Sequence, residues 1–172
     1  MPTNIEIKAR VHEMEHLENN VRSMTKSEPI LLYQEDYFFN VPHGRLKLRV
    51  LSPGRAELIF YDRQNVAGPK QSAYSKIEIA DPQAFKETLG NALGIMGVVR
   101  KIRKLYVYEQ TRIHLDDVEG LGHFMELEVM LQDDQTNEDG VAIAEEIMRQ
   151  LHIDPRDLVN SAYIDLLKLE KQ

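Results

Sequence analysis

Charge recurring at every second position is the feature that most restricts what this chain can become. Residues 3–11, 30–41, 45–52, 55–64, 72–80, 97–110, 111–118 and 122–132 each carry β-branched or aromatic residues at period two, the mark of a strand with two unlike faces. In the first, Ile5, Ile7 and Ala9 oppose Asn4, Glu6, Lys8 and Arg10. In the third, Leu46, Leu48 and Val50 oppose Arg45, Lys47 and Arg49. Leu58 and Phe60 oppose Glu57, Ile59, Tyr61 and Arg63, and Ile77 and Ile79 oppose Tyr74, Lys76 and Glu78. Towards the C-terminus, Ile113 and Leu115 oppose Arg112, His114 and Asp116, while Met125, Leu127 and Val129 oppose Phe124, Glu126 and Glu128. Both parities carry charge in Arg100-Lys101-Ile102-Arg103-Lys104; Lys101 and Arg103 are assigned to the charged face.

One reading of such alternation is a sheet with one face in a core and one in water. Against it, the polar positions are almost all charged, with few of the Thr, Ser and Gln residues of a solvated face. Basic residues from several strands would also meet carboxylates from the first and last. A sheet closed on itself, with its apolar face under helices and its charged face inside, encloses a wet cationic bore. Burying many cations without counterions is costly. A polyanion together with a metal ion would fill such a bore.

Helical periodicity appears in 12–24, through Met14, Leu17, Val21 and Met24, in 82–93 and in 138–151. Asp81-Pro82 supplies an N-cap followed by proline at the first helical position. Asp154-Pro155 repeats the signal and predicts a fourth helix over 155–170. Turns fall at Pro42-His43-Gly44, Ser52-Pro53-Gly54, Ala67-Gly68-Pro69 and Glu119-Gly120-Leu121-Gly122. The acidic stretch 133–140 reads as a loop entering the third helix. With no repeat or linker, the whole chain, 1–172, is expected to be one domain of α+β class. Its architecture is expected to be a closed eight-stranded antiparallel β-barrel with helices packed outside.

Several function classes are disfavoured. A net charge of −7 does not suit a general nucleic-acid binder, and no apolar run reaches the ~20 residues of a membrane helix. Met1-Pro2-Thr3-Asn4 lacks the start of a secretory signal, so a cytoplasmic location is expected. Absence of cysteine removes disulfides and thiolate chemistry. His12-Glu13-Met14-Glu15-His16 matches the H-E-x-x-H zinc-protease pattern. At about 100° per residue, however, both histidines lie opposite the apolar stripe and should face solvent. Asp36 and Tyr37 read equally as structural or catalytic. Tyr163 reads first as a packed helix residue and second as a hydrogen-bonding group directed into the bore.

Asn4-Ile5-Glu6-Ile7-Lys8 resembles the Glu-x-Glu-x-Lys signature of the CYTH superfamily, also called the triphosphate tunnel metalloenzymes. Gln34 to Phe38, Gly44 to Arg49, Arg100 to Arg103, Arg112 to Asp116 and Val118 to Glu128 follow in the order of that pattern. The resemblance covers about residues 4–130. It implies an eight-stranded antiparallel tunnel acting on a small-molecule triphosphate; a monomer or a homodimer is expected. By the resemblance, Lys8, Lys47, Arg49, Arg63, Lys76, Arg103 and Arg112 hold phosphate oxygens, and Glu6, Asp116, Glu126 and Glu128 bind Mg²⁺ or Mn²⁺. Lys8 and Glu6 are its candidate catalytic pair. The implied activity is a metal-dependent phosphohydrolase of tripolyphosphate or an organic triphosphate. A class IV-like adenylate cyclase, converting ATP to cyclic AMP and pyrophosphate, and a non-catalytic polyphosphate- or nucleotide-binding module are the alternatives. The first Glu of the signature is Asn4 here, which offers a carbonyl oxygen without charge and puts a two-metal arrangement in doubt.

Overall fold

A computed structural model describes residues 3–52, 54–63 and 66–170. Among the described residues, eight strands and four α-helices follow in the order β1 (Thr3–Arg10), α1 (Met14–Thr25), β2 (Ile30–Phe39), β3 (Arg45–Ser52), β4 (Arg55–Arg63), β5 (Lys70–Ile79), α2 (Pro82–Leu93), β6 (Ile95–Tyr108), β7 (Thr111–Val118), β8 (Gly122–Met130), α3 (Asn137–Gln150) and α4 (Tyr163–Glu170). Every neighbouring pair is antiparallel, and the order β1-β5-β4-β3-β2-β6-β7-β8 closes when β8 pairs with β1. The expected closed barrel is present. Pro53 of the expected Ser52-Pro53-Gly54 turn and Gln64 of the expected fourth strand lie outside the described residues.

The apolar mass sits mainly outside the barrel wall. Ile5, Ile7, Ile113, Leu115, Met125, Leu127 and Val129 turn outward from β1, β7 and β8, where Leu17 and Val21 of α1 and Ala144 and Ile147 of α3 cover them. Each such large aliphatic side chain, fully buried, contributes about 1.5–3 kcal/mol. On the other side, α2 packs Phe85 and Leu89 near Phe39, Leu48 and Ala56. Helical cover is incomplete: Ile77 on β5, Tyr33 on β2 and Ile102 on β6 stay exposed. Local chemistry sets the helix starts. Asp81 accepts from Ala84 N at 3.1 Å with Pro82 in the first turn, and Thr136 with Asp139 forms a reciprocal capping box at α3.

The expected helix over 155–170 is broken. Pro155–Asp157 makes one 3₁₀ turn, and α4 begins only at Tyr163. Between them the chain is tied to β1: Leu158 bridges Ala9, and Val159 N donates to Lys8 O at 2.9 Å. The reason is visible in the next two carbonyls. Asn160 O accepts from Lys70 Nζ at 3.2 Å and Ser161 O from Lys8 Nζ at 3.1 Å. A continuous helix would have spent those carbonyls on its own ladder. α4 then closes one end of the barrel, packing Ala162, Tyr163 and Ile164 with Phe38, Ile59, Tyr61, Val99 and Phe124. Gly97 lies directly against this segment: a Cβ there would come 2.5 Å from Ile164 Cδ1, so the isoleucine tip occupies the space a side chain would take.

Candidate functional site: a charged bore

The barrel interior is a cavity of about 460 Å³, walled by inward positions of all eight strands and capped by Ala162 and Tyr163. Among the described residues, nine lysine and arginine side chains line it against five carboxylates, so this lining carries an excess of cation. Lys8, Lys47, Arg49, Arg63, Lys76, Arg103 and Arg112, the seven expected phosphate contacts, all face this space. So do Glu6, Glu126 and Glu128. Depth differs among them. Lys8, Lys101 and Arg103 are buried towards the α4 end, whereas the Lys76 and Arg112 side chains are 43% and 41% exposed at the other. The bore has one blind end and one mouth.

Strand register turns the charges into cross-strand pairs. Lys8 stands opposite Glu126 and Glu6 opposite Glu128 across β1 and β8; Arg112 faces Glu128, and His114 faces Glu126, across β7 and β8. Across β6 and β7, Arg103 faces Asp116. Arg103 donates from Nε and Nη2 to the two Asp116 oxygens, each at 2.7 Å, and from Nη2 to Glu126 at 3.2 Å. Tyr163 Oη donates to Asp116 Oδ2 at 2.7 Å. Asp116 is fully buried and does not line the cavity. Its oxygens orient Arg103 from behind, an arrangement unlike the metal-ligand position that the sequence resemblance implied.

A second buried carboxylate organises the opposite wall. Asp36 accepts from Arg49 Nε and Nη2, both at 2.8 Å, and from Lys101 Nζ at 2.9 Å, with Lys47 Nζ at 3.4 Å. Burial disfavours its charge, yet Arg49, Lys101 and Lys47 together hold it well below the usual carboxylate range. The lysines show the converse. Burial, reinforced by Arg49 and opposed by Asp36, pushes Lys47 down to about 7. Burial brings Lys8 down to about 8 despite Glu126; its ammonium also lies 3.9 Å from the Tyr163 ring centroid. Even after internal pairing, these groups are short of negative charge.

The bore carboxylates divide. Burial raises Glu6, and Glu128 and Glu126 raise it further, against Arg63, whose Nη1 donates to it at 2.9 Å. Burial also opposes the charge on Glu126, but Lys8, Arg103 and His114 hold it well below its usual range. Among the described residues, no three His, Asp or Glu side chains form a group that could by itself hold a metal ion. Glu6, Glu126 and Glu128 nonetheless offer hard oxygen donors on adjoining strands, which suits a divalent Mg²⁺ or Mn²⁺. The Asn4 Oδ1 atom, on the same face of β1, is buried without a hydrogen-bond partner among the described residues.

A CYTH domain model matches residues 2–163. The chain belongs to the CYTH family. A Methanocaldococcus jannaschii protein named "Putative adenylate cyclase" is 26% identical to this CYTH chain, over 94% of it and 97% of the relative. A solved Pyrococcus horikoshii structure superposes with a TM-score of 0.84 at 24% identity, covering 95% of this chain and 99% of that one. The Pct1 RNA triphosphatase of S. pombe shares the fold at a TM-score of 0.53 and 12% identity, covering 94% and 86%.

Some groups of this CYTH bore were not singled out from sequence. Lys70, opposite Glu6 on β5 but outside the cavity lining, is buried and tied to the carbonyls of Val66 and Asn160. Gln34 lines the cavity at 5% exposure. Tyr163 takes the second of its two readings, reaching through the blind end to Asp116. Asp36 proves an organiser of cations, while Tyr37, on the outer face, donates to Glu35 at 2.8 Å. His12 precedes α1 and pairs with Asp157 at 2.8 Å, and His16 is exposed, so the H-E-x-x-H residues form no metal site. No helix among the described residues is long and apolar enough to cross a membrane.

Proposed function

We propose that this protein is a metal-dependent phosphohydrolase that takes a triphosphate end-on into the bore. The observation that carries the reading is the convergence of Lys8, Lys47, Arg49, Lys101 and Arg103 on a blind cavity beside Glu6, Glu126 and Glu128. Arginine forks suit bridging and terminal phosphate oxygens, and the lysines add point charges. Asp36 and Asp116 hold those forks in place before substrate arrives, so little reorganisation is needed as charge shifts in the transition state.

Glu6, Glu126 and Glu128 would hold Mg²⁺ or Mn²⁺, and the metal, when bound, supplies Lewis-acid neutralisation of phosphate oxygens. In hydrolysis, a water oxygen bonds to the terminal phosphorus, that P–O–P bond breaks, and the shorter phosphate leaves on the bridging oxygen. The proton lost by water must be held. The departing phosphate takes it, and Lys8 Nζ, buried as an ammonium beside Glu126, would hold the charge on that phosphate's oxygens. Catalysis of this kind rests on positioning and electrostatics.

A second reading is an adenylate cyclase, favoured by the name of the Methanocaldococcus jannaschii relative. There the ribose 3′-hydroxyl of ATP bonds to the α-phosphorus and pyrophosphate leaves. One assay separates them. Purified protein with Mg²⁺ or Mn²⁺ is given tripolyphosphate, thiamine triphosphate or ATP, and orthophosphate, pyrophosphate and cyclic AMP are measured. Orthophosphate release that Glu128→Gln abolishes supports hydrolysis. Cyclic AMP with pyrophosphate replaces it by the cyclase, and binding without any turnover refutes both.

A further inference from the structure

Two tyrosines stand at the blind end of the bore, and their hydroxyls differ in use. Tyr163 donates to Asp116. Tyr61 lies on the inward face of β4, opposite Arg45, which reaches Asp165 of α4 at 2.6 Å. It lines the cavity at 9% exposure, and its ring packs among Phe38, Ile59, Val99 and Tyr163. Packing accounts for the ring and leaves the hydroxyl unexplained. Tyr37, Tyr106 and Tyr163 each donate to a carboxylate. The Tyr61 hydroxyl feels the charges of Asp36 and Glu6 but forms no hydrogen bond with a described residue. It is not sealed into the wall either, and so opens on the cavity. Phenylalanine would fill the same space with no oxygen to desolvate.

The same ring carries two cations. Lys47 Nζ, from the diagonal position on β3, lies 5.1 Å from its centroid, and Arg63 Cζ, two residues along β4, lies 5.3 Å from it. Each cation also has a carboxylate: Asp36 is 3.4 Å from Lys47 Nζ, and Glu6 accepts from Arg63 at 2.9 Å. Tyr61 therefore stands where the Asp36 wall meets the Glu6 group. A π face attracts a cation without neutralising it, so Lys47 and Arg63 keep charge for an incoming anion. Burial pushes the phenol up to about 12, which leaves its proton in place as a donor at neutral pH.

We propose that Tyr61 is a substrate-binding residue whose hydroxyl donates to an oxygen of the phosphate held by Lys47 and Arg63. The proposal rests on the reading of the bore as a triphosphate site. A phosphate at this point meets an ammonium, a guanidinium and a neutral donor. The phenol adds a directional hydrogen bond to a charged acceptor, which is stronger than one between neutral groups. It does so without adding to the mutual repulsion of the cations around it.

The test is equilibrium binding of tripolyphosphate to the full chain at neutral pH, with urea unfolding of the ligand-free protein alongside. Tyr61→Phe keeps the ring and is expected to weaken binding about tenfold, the effect of one hydrogen bond to a charged group. Its unfolding midpoint should match the wild type, because the hydroxyl bonds to nothing in the free protein. Tyr163→Phe is the control: its hydroxyl is bound to Asp116, so its midpoint should fall. Wild-type affinity in Tyr61→Phe, or a midpoint lowered as far as that of Tyr163→Phe, overturns the proposal and leaves the bore reading intact. Failure of the wild type to bind tripolyphosphate refutes the underlying reading instead.

Discussion

Tyr163 Oη lies 2.7 Å from Asp116 Oδ2, and this contact joins the C-terminal helix to the wall that holds Arg103. The ring beneath that hydroxyl also carries the Lys8 ammonium at 3.9 Å. One helix residue therefore seats two cations, one from β1 and one from β6, that also share Glu126. Tyr163→Phe keeps the ring and removes the hydroxyl. Loss of a buried hydrogen bond to a charged group is expected to cost about 1–3 kcal/mol, measured by urea unfolding. Affinity for tripolyphosphate should fall severalfold, because Arg103 loses part of its fixed orientation. Unchanged stability would remove Tyr163 from this role.

Asp36 is the counterion of three bore cations, and its removal exposes their mutual repulsion. Asp36→Asn is expected to destabilise the free protein by about 3–5 kcal/mol, the range for breaking a buried charge cluster on one side. A bound polyanion supplies the missing charge. The rise in Tm on adding tripolyphosphate should therefore be larger for the variant than for the wild type. Equal rises would mean that the ligand does not reach Lys47, Arg49 and Lys101.

The depressed lysines fix the direction of the pH dependence. With Lys47 at about 7 and Lys8 at about 8, Lys47 is largely neutral and Lys8 about half neutral in the free protein at pH 8. A bound polyanion favours their ammonium forms and raises both values. Binding near pH 8 should therefore take up protons, and affinity should weaken as pH rises from 7 towards 10. Calorimetric titration in two buffers of different ionisation enthalpy measures the uptake; an uptake of zero contradicts burial of these lysines against the ligand. The free protein shows the linked effect. Between the folded values and the ordinary lysine value of 10.5, the unfolded chain holds more protons. Each lysine's contribution to stability therefore rises with pH through that window.

Alternation made the barrel legible. Because side chains on a strand alternate strictly, Lys47 and Arg49, Arg112 and His114, and Glu126 and Glu128 could be assigned to one face before their partners were known. The signal was weakest on β6, where outward Arg100 and Lys104 are charged as well, although Lys101 and Arg103 do face inward. What sequence did not show was how groups of opposite sign are shared. Asp116 has the parity of a bore residue, but whether it meets a metal or backs Arg103 depends on packing across β6, β7 and α4. The break before α4 was hidden for a similar reason. Asp154-Pro155 is a sound helix start, and the carbonyls of Asn160 and Ser161 leave the helix to meet lysines on distant strands. Asn160-Ser161 was the available local hint.

A crystal structure of the protein with tripolyphosphate and Mn²⁺, using manganese anomalous scattering, tests the bore directly. The expected result is phosphate density within contact of Lys8, Lys47, Arg49 and Arg103, with an anomalous peak beside Glu6, Glu126 and Glu128. Anion and metal bound on the outer surface, with the bore empty at saturating ligand, would contradict it.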